Sequence, residues 1–318
     1  MSGRIGTAFV LGAGLGTRLR PLTLVRPKPL LPIYGKPLIT FALDHLCAAG
    51  VESFVINTHH LADQFQTLFP QGNYGGRQLM LVHEPEILET GGGIKNAEPF
   101  IGQDPFIVYS GDVLTNVCLE ELIEEHFRQE NHVTLALRQT GLASGIALSD
   151  SGRITSIKCN DPQSQTYDYA NISIWSPKIF AKIPAGVKIS FVAILSDWLS
   201  KSGRIGGLVL NDQQWFNIGS SAEYLAVHRK IGEISWRPKY IQAPHWPTKI
   251  AVNAKVADTA RLLGFYSVGL SSIVEPSARI EDSVVWENAT ISSGTTLRNC
   301  VIAERVVVSG HHENVDLI

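Results

Sequence analysis

The sequence has few of the features that mark secreted, zinc-binding or membrane proteins. Only 4 of its 318 residues are cysteines, and they lie far apart, without a CxxC pair or a histidine at zinc-ligand spacing. Such isolated cysteines argue against a disulfide framework and against a zinc site. No apolar run approaches the roughly 18 residues that a membrane span requires, and the first run, Ala8–Leu11, is too short for a signal peptide. The sequence therefore predicts a cytoplasmic protein without a membrane partner.

Charge of neither sign is in excess. The 27 basic and 29 acidic side chains leave a net charge of −2, which provides no electrostatic footprint for nucleic acid. Hydrophobic residues make up 44% of the chain, which is enough to bury a substantial core. These values favour a globular enzyme with small-molecule partners.

Short apolar runs alternate with helical patterns from residue 5 to about residue 232. Ile5–Leu11 has the character of a buried strand, Pro37–Ala49 places its apolar residues on one helical face, and Phe106–Tyr109 is again strand-like. This alternation predicts an α/β fold with a mostly parallel sheet covered by helices on both faces. Ligands of such sheets bind beyond the carboxyl ends of the strands, where the loops after Leu11 and Tyr109 begin.

The pattern changes after residue 234. Ser235–Thr248 is rich in tryptophan and proline, which predicts a linker packed down by aromatic rings, and a helix is expected over Asn253–Leu263. Farther on, aliphatic residues recur at every fifth or sixth position: Val274, Ile280, Val285, Ile291, Leu297 and Ile302. This period predicts a parallel β-helix of about two coils, with a loose β-sandwich fragment as the alternative.

These patterns predict a catalytic domain over residues 1–234, a linker over 235–266 and a β-helix tail over 267–318. So short a β-helix exposes aliphatic side chains at an open end. We expect the main domain or a second copy of the chain to cover that end, which makes a homo-oligomer formed through the tail one expectation. Truncation from about Ser267 is then expected to change stability or assembly more than chemistry.

The most informative segment is the glycine-rich turn that follows the first predicted strand. Glycines in such a turn let backbone N–H groups approach phosphate closely. The dinucleotide-binding fingerprint does not fit because its third glycine position holds Thr17, and a Walker loop does not fit because its Gly-Lys pair is missing. A second basic element, RPKPL at residues 26–30, follows, and its two prolines stiffen the backbone around Lys28. Together these elements favour phosphate binding over an unliganded turn.

The combination of GxGTRxxPLT with PKPLL resembles the sugar-nucleotide pyrophosphorylases, which join a nucleoside triphosphate to a sugar 1-phosphate and release pyrophosphate. The resemblance continues through LETGGGI at 88–94, SGD at 110–112 and WFNIG at 215–219, so it covers about residues 5–232. It implies a Rossmann-like nucleotidyltransferase domain followed by a short left-handed β-helix. The ETGGGI form looks most like the N-acetylmuramate-1-phosphate uridylyltransferases, whereas the appended tail is more similar to the mannose-1-phosphate guanylyltransferases.

The resemblance also implies catalytic and nucleotide-binding residues. Arg18 would hold the leaving pyrophosphate, and Lys28 would bridge the α-phosphate and the incoming phosphate, because charge neutralisation and positioning supply most of this catalysis. Glu84 would either accept two N–H bonds from a guanine base or remain a solvated carboxylate. The residues expected to contact the nucleotide are Leu11, Gly12, Ala13, Gly14, Gly16, Thr17, Glu84, Thr90, Gly91, Gly92 and Gly111, with Thr90–Gly92 in a loop that faces the base and ribose.

Two further expected sites depart from the family pattern. Lys158 and Asn171 would bind the sugar phosphate, but Ile157 precedes Lys158 where the family usually has glutamate. Asp112 and Asn217 would hold Mg²⁺, which prefers hard oxygen ligands, but Asn217 stands where aspartate is commoner.

Two rival functions belong to other classes. A non-catalytic nucleotide-sugar sensor would keep the same pocket, and the departures at Ile157 and Asn217 are compatible with it. A β-helix acyltransferase would use His311 or His312 as its catalytic histidine, although two coils are few for an acceptor site. Neither the base nor the sugar is specified by these motifs.

Overall fold

The computed structural model describes residues 3–141, 145–161 and 163–318. The helices in this part of the chain are α1 (Leu22–Val25), α2 (Leu38–Ala48), α3 (Ala62–Leu68), α4 (Glu89–Asn96), α5 (Glu98–Ile101), α6 (Leu119–Arg128), α7 (Phe191–Ser200) and α8 (Ser221–Ile234). Short 3₁₀ segments cover Thr17–Leu19, Lys28–Leu30 and Pro177–Lys182.

The strands fall into two groups along the chain. Those up to residue 216 are β1 (Thr7–Leu11), β2 (Pro32–Ile33), β3 (Lys36–Pro37), β4 (Ser53–Thr58), β5 (Asn73–Tyr74), β6 (Arg77–His83), β7 (Phe106–Ser110), β8 (Leu114–Thr115), β9 (Val133–Arg138), β10 (Gly145–Leu148), β11 (Ile154–Cys159), β12 (Thr166–Trp175), β13 (Ile205–Val209) and β14 (Trp215–Phe216). Those of the C-terminal part are β15 (Lys255–Val256), β16 (Arg261–Val268), β17 (Ile273–Val274), β18 (Arg279–Val285), β19 (Thr290–Ile291), β20 (Thr296–Arg298), β21 (Val301–Ile302), β22 (Val307–Val308), β23 (His311–Glu313) and β24 (Asp316–Leu317).

The chain folds into two units. The sheet unit comprises the residues up to Gly14 together with Ala42–Trp215, and the β-helix unit comprises Leu15–Phe41 together with Phe216–Ile318. The β-helix unit thus includes two segments of the domain that we assign to residues 1–234 from the sequence. That assignment of domains stays a prediction.

The sheet unit is built on the apolar runs that the sequence indicated as strands. The order of its main sheet is β11-β10-β12-β7-β1-β4-β6-β5, with β9 paired to β12 and to β13. Strands β7, β1, β4 and β6 run parallel to one another, and β9 runs parallel to β13, whereas β12 runs antiparallel to both β7 and β9. The predicted α/β fold with a mostly parallel sheet is confirmed.

The register of the parallel strands aligns their carboxyl ends. Leu11 at the end of β1 pairs with Asn57 of β4 and with Ser110 of β7. The chain therefore leaves the sheet at one edge immediately before Gly12 and Gly111. This is the edge at which open α/β sheets bind ligands, as expected from the sequence.

Burial of apolar faces accounts for these elements. Phe9 on β1 is fully buried, as befits a parallel strand whose sheet is covered by helices. Helix α6 buries Leu119, Leu122 and Ile123 at the spacing of one helical face. Covering each such side chain stabilises the fold by about 1.5–3 kcal/mol. Helix α7 is capped at its start, where the Ser190 hydroxyl accepts a hydrogen bond from the Ala193 amide at 3.4 Å.

The β-helix unit contains the predicted β-helix, consistent with the left-handed form, but the β-helix is longer than expected. One parallel ladder joins β15, β17, β19 and β22, a second joins β16, β18, β20 and β23, and a third continues from β18 through β21 to β24. The four strands of the first ladder correspond to four stacked coils, so the estimate of two coils is wrong.

The helix expected over Asn253–Leu263 is also wrong. That segment contains β15 and the first residues of β16, and it begins the β-helix. The period of aliphatic residues extends back to Val256 and Leu262, which pack against the same core as Val274 and Ile280. The alanines of the segment favour a helix as an isolated propensity, but parallel pairing with the next coil overrides that preference.

Residues 236–246 are held by contacts between aromatic rings, as the sequence predicts for the linker. Trp246 lies edge-on to Phe41 and to Trp236, and Trp236 lies edge-on to Phe216. The indole N–H of Trp246 donates to the Ile33 carbonyl at 2.8 Å. Among the residues that the structure describes, no helix is long and apolar enough to span a membrane.

Buried neutral histidines make the stability of the fold dependent on pH. Burial lowers the pKa of His45, His126 and His228 to about 4. In the unfolded chain their pKa is about 6.5, so the unfolded state gains protons between pH 6.5 and 4 that the folded state does not. The free energy of unfolding should therefore be highest above pH 6.5 and fall by about 1.4 kcal/mol per pH unit for each histidine below it.

Urea unfolding at pH 7.5 and at pH 5.5 measures this effect. We expect a clearly lower midpoint at pH 5.5 and, in an NMR titration, three histidines that stay neutral at that pH. An unchanged midpoint with ordinary titration of all ten histidines would show that these side chains are not buried in neutral form.

Candidate active site

In the sheet unit, the glycine-rich loop begins with a fixed amide. The Gly12 N–H donates to the Asn57 side-chain oxygen at 2.8 Å. A Cβ atom at residue 12 would lie 2.7 Å from the Asn57 carbonyl oxygen, so only glycine fits there without displacing the backbone. Because this amide is bonded to Asn57, Gly12 allows the close approach of the loop to β4, and the predicted phosphate contacts would fall to the amides that follow it.

Glu84 fixes the position of the Asn57 side chain that accepts from Gly12. The Asn57 side-chain N–H donates to one Glu84 oxygen at 2.7 Å, and the Leu88 amide donates to the other at 3.0 Å. Glu84 is only 1% exposed, so the expectation of a solvated carboxylate is wrong. The expected contact with a guanine base stays a prediction, and it is disfavoured because both carboxylate oxygens already accept hydrogen bonds from the protein.

The glycines of ETGGGI lie in helix α4, which corrects the expectation that they form a loop. The Gly91 and Gly92 amides donate to the Ile189 carbonyl at 2.9 and 3.1 Å, so they are engaged within the protein. A Cβ atom at Gly93 would lie 2.7 Å from a Glu84 oxygen. These glycines therefore let α4 pack closely on its surroundings, and Thr90, which is half-buried, remains the candidate contact to the nucleotide.

Asp112 follows the end of β7 at the same sheet edge as Gly12. The Gly111 amide donates to the Leu11 carbonyl at 2.9 Å, which ties this turn to the end of β1. Asp112 is half-buried. The structure thus brings the beginning of the glycine loop and Asp112 to one edge, as the sequence predicted from the two strand ends.

The two expected sugar-phosphate residues lie on different strands of the sheet unit. Lys158 is exposed on β11, and Asn171 is half-buried on β12, with β10 between the two strands. Asn171 has a φ of 63°, and the pairing of β12 with β9 is irregular on either side of it. Non-glycine residues in this region are uncommon and mark sites where the surrounding structure enforces the backbone.

Arg138 is a cation near this irregular segment that sequence reasoning missed. Its guanidinium lies 3.8 Å from the ring centroid of Trp215, and the Trp215 indole N–H donates to the Ala170 carbonyl at 3.1 Å. Trp215 thus links Arg138 to the residue before Asn171. The WFNIG motif names Trp215, but nothing in the sequence pairs it with a residue on β9.

In the β-helix unit, the remainder of the glycine loop packs against Lys28. Gly16 has a φ of 60°, and a Cβ atom there would lie 2.8 Å from the Thr23 methyl and 3.2 Å from the Lys28 Cβ. The Thr23 hydroxyl donates to the Gly16 carbonyl at 2.9 Å. Glycine is therefore required at residue 16 both for its backbone angle and for space.

Lys28 is carried on a rigid segment. It begins a 3₁₀ turn, in which the Leu30 amide donates to the Pro27 carbonyl at 2.8 Å and the Leu31 amide donates to the Lys28 carbonyl at 3.1 Å. Leu31 is fully buried, whereas Lys28 is half-buried. The two prolines and the buried leucine fix the backbone from which the lysine side chain extends.

Arg18 lies beside the turn that contains Asn217. A Cβ atom at Gly219 would lie 3.0 Å from a guanidinium nitrogen of Arg18 and 2.7 Å from a Glu223 oxygen, so glycine is needed for both to approach. The Gly219 amide donates to Glu223 at 2.7 Å, and the Asn217 side-chain N–H donates to the other Glu223 oxygen at 2.8 Å.

Glu223 is a second residue that sequence reasoning missed, although a signal for it exists. Ser220 and Glu223 form the S-x-x-E pattern of a capping box at the start of α8, and the Glu223 amide donates to the Ser220 hydroxyl at 3.2 Å. Its carboxylate also orients Asn217 by accepting the amide N–H. The Asn217 side-chain oxygen is thereby directed away from Glu223.

The two candidate Mg²⁺ ligands belong to different units, and each is of a type that a hard cation accepts. Asp112 offers a carboxylate and Asn217 an amide oxygen, which are ligand types that Mg²⁺ accepts alongside water and phosphate oxygens. Within residues 3–141, 145–161 and 163–318, no three His, Cys, Asp or Glu side chains are grouped as a metal site.

The family model described as "Nucleotidyl transferase" matches residues 7–234. The chain belongs to the nucleotidyl transferase family. It is 30% identical over 305 residues to mannose-1-phosphate guanylyltransferase of Mycobacterium tuberculosis, an alignment that covers 93% of this chain and 82% of that protein. It is 32% identical over 241 residues to N-acetylmuramate alpha-1-phosphate uridylyltransferase of Caulobacter vibrioides, covering 71% of this chain and 97% of that protein.

Solved structures agree with this family. The crystal structure of HddC from Yersinia pseudotuberculosis superposes with a TM-score of 0.60 at 25% identity, covering 71% of this chain and all of that one. The family predicted from the motifs and its reaction class, nucleotidyl transfer, are confirmed. Both relatives above are named for transfer to a sugar 1-phosphate, which favours the catalytic prediction over the sensor.

Replacing Gly16 by alanine tests the packing of the loop against Lys28. The positive φ alone should cost about 1–2 kcal/mol of stability, and the contacts at 2.8 and 3.2 Å should shift Thr23 or Lys28 and lower kcat as well. Gly6→Ala is the matched control, because no atom lies within 4 Å of a Cβ atom there and its φ is not positive. Equal urea midpoints for the two variants would contradict the crowding at Gly16.

Proposed function

We propose that this chain joins a nucleoside triphosphate to a sugar 1-phosphate, giving an NDP-sugar and pyrophosphate. The observation that carries the proposal is the close packing of the glycine loop beside Lys28 on its rigid segment, where a Cβ atom at Gly16 would lie 3.2 Å from the Lys28 Cβ. A phosphate-binding turn and a lysine held side by side are suited to a reaction centre in which several negative charges converge. Membership of the nucleotidyl transferase family supports the same reaction.

The chemistry assigns distinct tasks to the two cations. An oxygen of the sugar phosphate attacks the α-phosphorus in line, and pyrophosphate leaves from the opposite side. Lys28, as a compact point charge, neutralises the α-phosphate and the incoming phosphate, and Arg18, as a planar fork, holds the departing pyrophosphate. Positioning and charge neutralisation are the main contributions that a protein makes to phosphoryl transfer.

The other proposed contacts follow from the loop and the strand ends. The proposed contacts to the nucleotide are Leu11, Ala13, Gly14, Gly16, Thr17, Thr90 and Gly111, and those to the sugar phosphate are Lys158 and Asn171. As the motifs imply, Asp112 and Asn217 would each offer an oxygen to Mg²⁺, and the charge of a bound cation would neutralise phosphate further. The named relatives support uridylyl or guanylyl transfer as the first activities to test. A cytoplasmic location and a homo-oligomer formed through the tail remain part of the proposal from the sequence alone.

Replacing Lys28 by alanine is the direct test of this role. Loss of one charge contact that acts in the transition state should lower kcat about 100- to 1000-fold, while the free energy of unfolding changes little. The assay is pyrophosphate release from five nucleoside triphosphates combined with a panel of sugar 1-phosphates. Lys255→Ala, which removes an exposed lysine on β15, is the control and should retain full turnover. A Lys28→Ala protein with normal kcat on its best substrate pair would remove Lys28 from the mechanism.

Replacing Asn217 by aspartate tests its proposed contact with Mg²⁺ without an activity assay. The new carboxylate would lie against Glu223 in place of the 2.8 Å hydrogen bond, so the variant should melt lower than the natural chain in EDTA. Added Mg²⁺ should then raise its Tm more than that of the natural chain, because a cation relieves the repulsion. Asn299→Asp is the control, because Asn299 is a half-buried asparagine of the β-helix whose side-chain N–H donates to the neutral Asn314, and its Tm should depend on Mg²⁺ no more than that of the natural chain. Identical Mg²⁺ responses of all three proteins would eliminate Asn217 as a ligand.

A further inference from the structure

Arg26 lies two residues before Lys28 and is bound by two carboxylates of the β-helix. One guanidinium nitrogen donates to both Glu287 and Glu304, and another donates to Glu287 at 3.3 Å. The guanidinium also lies over the Trp286 ring, 4.8 Å from its centroid. The Arg26 side chain is 11% exposed, whereas those of the two glutamates are about 30% exposed, so this pair of contacts is well shielded from water.

The two glutamates occupy equivalent positions on neighbouring coils. Glu287 lies three residues before Thr290 and Glu304 three residues before Val307, and these two residues are paired in the parallel ladder. Adjacent strands of a ladder are about 4.8 Å apart, so the stacked carboxylates would repel each other without a cation between them. Arg26 supplies that cation, and its planar fork can serve two carboxylates at once.

The other end of the same segment is anchored to the same tryptophan. The Trp286 indole N–H donates to the Tyr224 hydroxyl at 3.1 Å, and that hydroxyl donates to the Pro32 carbonyl. Trp286 and Tyr224 are both fully buried. The segment from Arg26 to Pro32, which carries Lys28, is therefore held at both ends by groups that meet at Trp286.

We propose that Arg26 is a positioning residue through which Glu287 and Glu304 of the β-helix fix Lys28 for catalysis. This inference rests on the proposed role of Lys28. By this inference the β-helix contributes to turnover, although Arg26, Glu287 and Glu304 do not contact the substrate. It also changes the expectation for truncation from about Ser267, which would remove both glutamates and should lower kcat as well as stability.

The test uses Glu287→Gln and Glu304→Gln together in the full-length chain. Glutamine keeps the shape and can still accept a hydrogen bond, but it removes both charges. We expect kcat to fall about 10- to 100-fold with little change in KM for the triphosphate, because a displacement of about 1 Å at a reacting group has effects of this size. Glu281→Gln, which breaks a partly exposed pair with Arg279 at 2.8 Å elsewhere in the β-helix, is the matched control and should leave kcat unchanged.

A double-mutant cycle with Lys28→Ala distinguishes positioning from general damage. If the glutamates act through Lys28, the two Gln substitutions should cause no further loss of kcat in a Lys28→Ala background. Losses that multiply would overturn the inference, as would a normal kcat for the Gln pair when Lys28→Ala alone is impaired. A normal kcat for Lys28→Ala would instead overturn the proposed role of Lys28 and this inference with it.

Hydrogen exchange keeps the proposal testable even where turnover is too low to measure. The amides of Leu30 and Leu31 should exchange faster in the Gln pair than in the natural chain or in Glu281→Gln. Arg26→Lys keeps the charge but loses the planar fork that serves two carboxylates. Its exchange rates at these amides and its kcat should lie between those of the Gln pair and those of the natural chain. Unchanged exchange at these amides in the Gln pair would overturn the inference.

Discussion

Two carboxylates, Glu287 and Glu304, lie on adjacent coils of the β-helix, and a cation bonded to both offsets their mutual repulsion. Arg26 is that cation, and its backbone leads within two residues to Lys28. The same interaction therefore neutralises two carboxylates of the β-helix and, by our proposal, sets the position of Lys28, which acts on the α-phosphate. Because breaking one partner of a shielded ion pair leaves an uncompensated charge, this contact is more sensitive to substitution than an ordinary surface pair.

In the sheet unit, too, a carboxylate that is shielded from water is stabilised by its partners, here through hydrogen bonds to uncharged groups. Glu84 is buried and accepts from Asn57 and Leu88, and Asn57 in turn accepts from the Gly12 amide. Since a buried carboxylate without partners is costly, each bond in this chain of contacts constrains the next. The start of the glycine loop is thus set by groups on two other strand ends, and glycine is needed at residue 12 to let the backbones approach.

The sequence predicted those parts of the molecule whose signal is local. The glycine turn, the proline-braced Lys28 and the strand before Asp112 each have a short pattern with a physical meaning, and the family and the fold followed from them. The sequence leaves Glu84 open between a contact with the base and a solvated carboxylate, because its burial depends on hydrogen bonds with Asn57 and Leu88 that no local pattern indicates. Arg26 pairs with residues 261 and 278 positions away, and no periodicity or spacing could connect them. The six-residue period of aliphatic residues already includes Val256 and Leu262, but the helix propensity of the same segment favoured a helix there.

Oxygen-18 labelling tests most directly the central claim that a sugar 1-phosphate attacks the α-phosphorus of a nucleoside triphosphate. The sugar 1-phosphate carries the label in the three non-bridging oxygens of its phosphate, and mass spectrometry follows both products. If the claim is correct, the NDP-sugar retains all of the label and the released pyrophosphate contains none. Label in the pyrophosphate, or triphosphate cleavage without a labelled NDP-sugar for any tested pair, would contradict the proposed reaction.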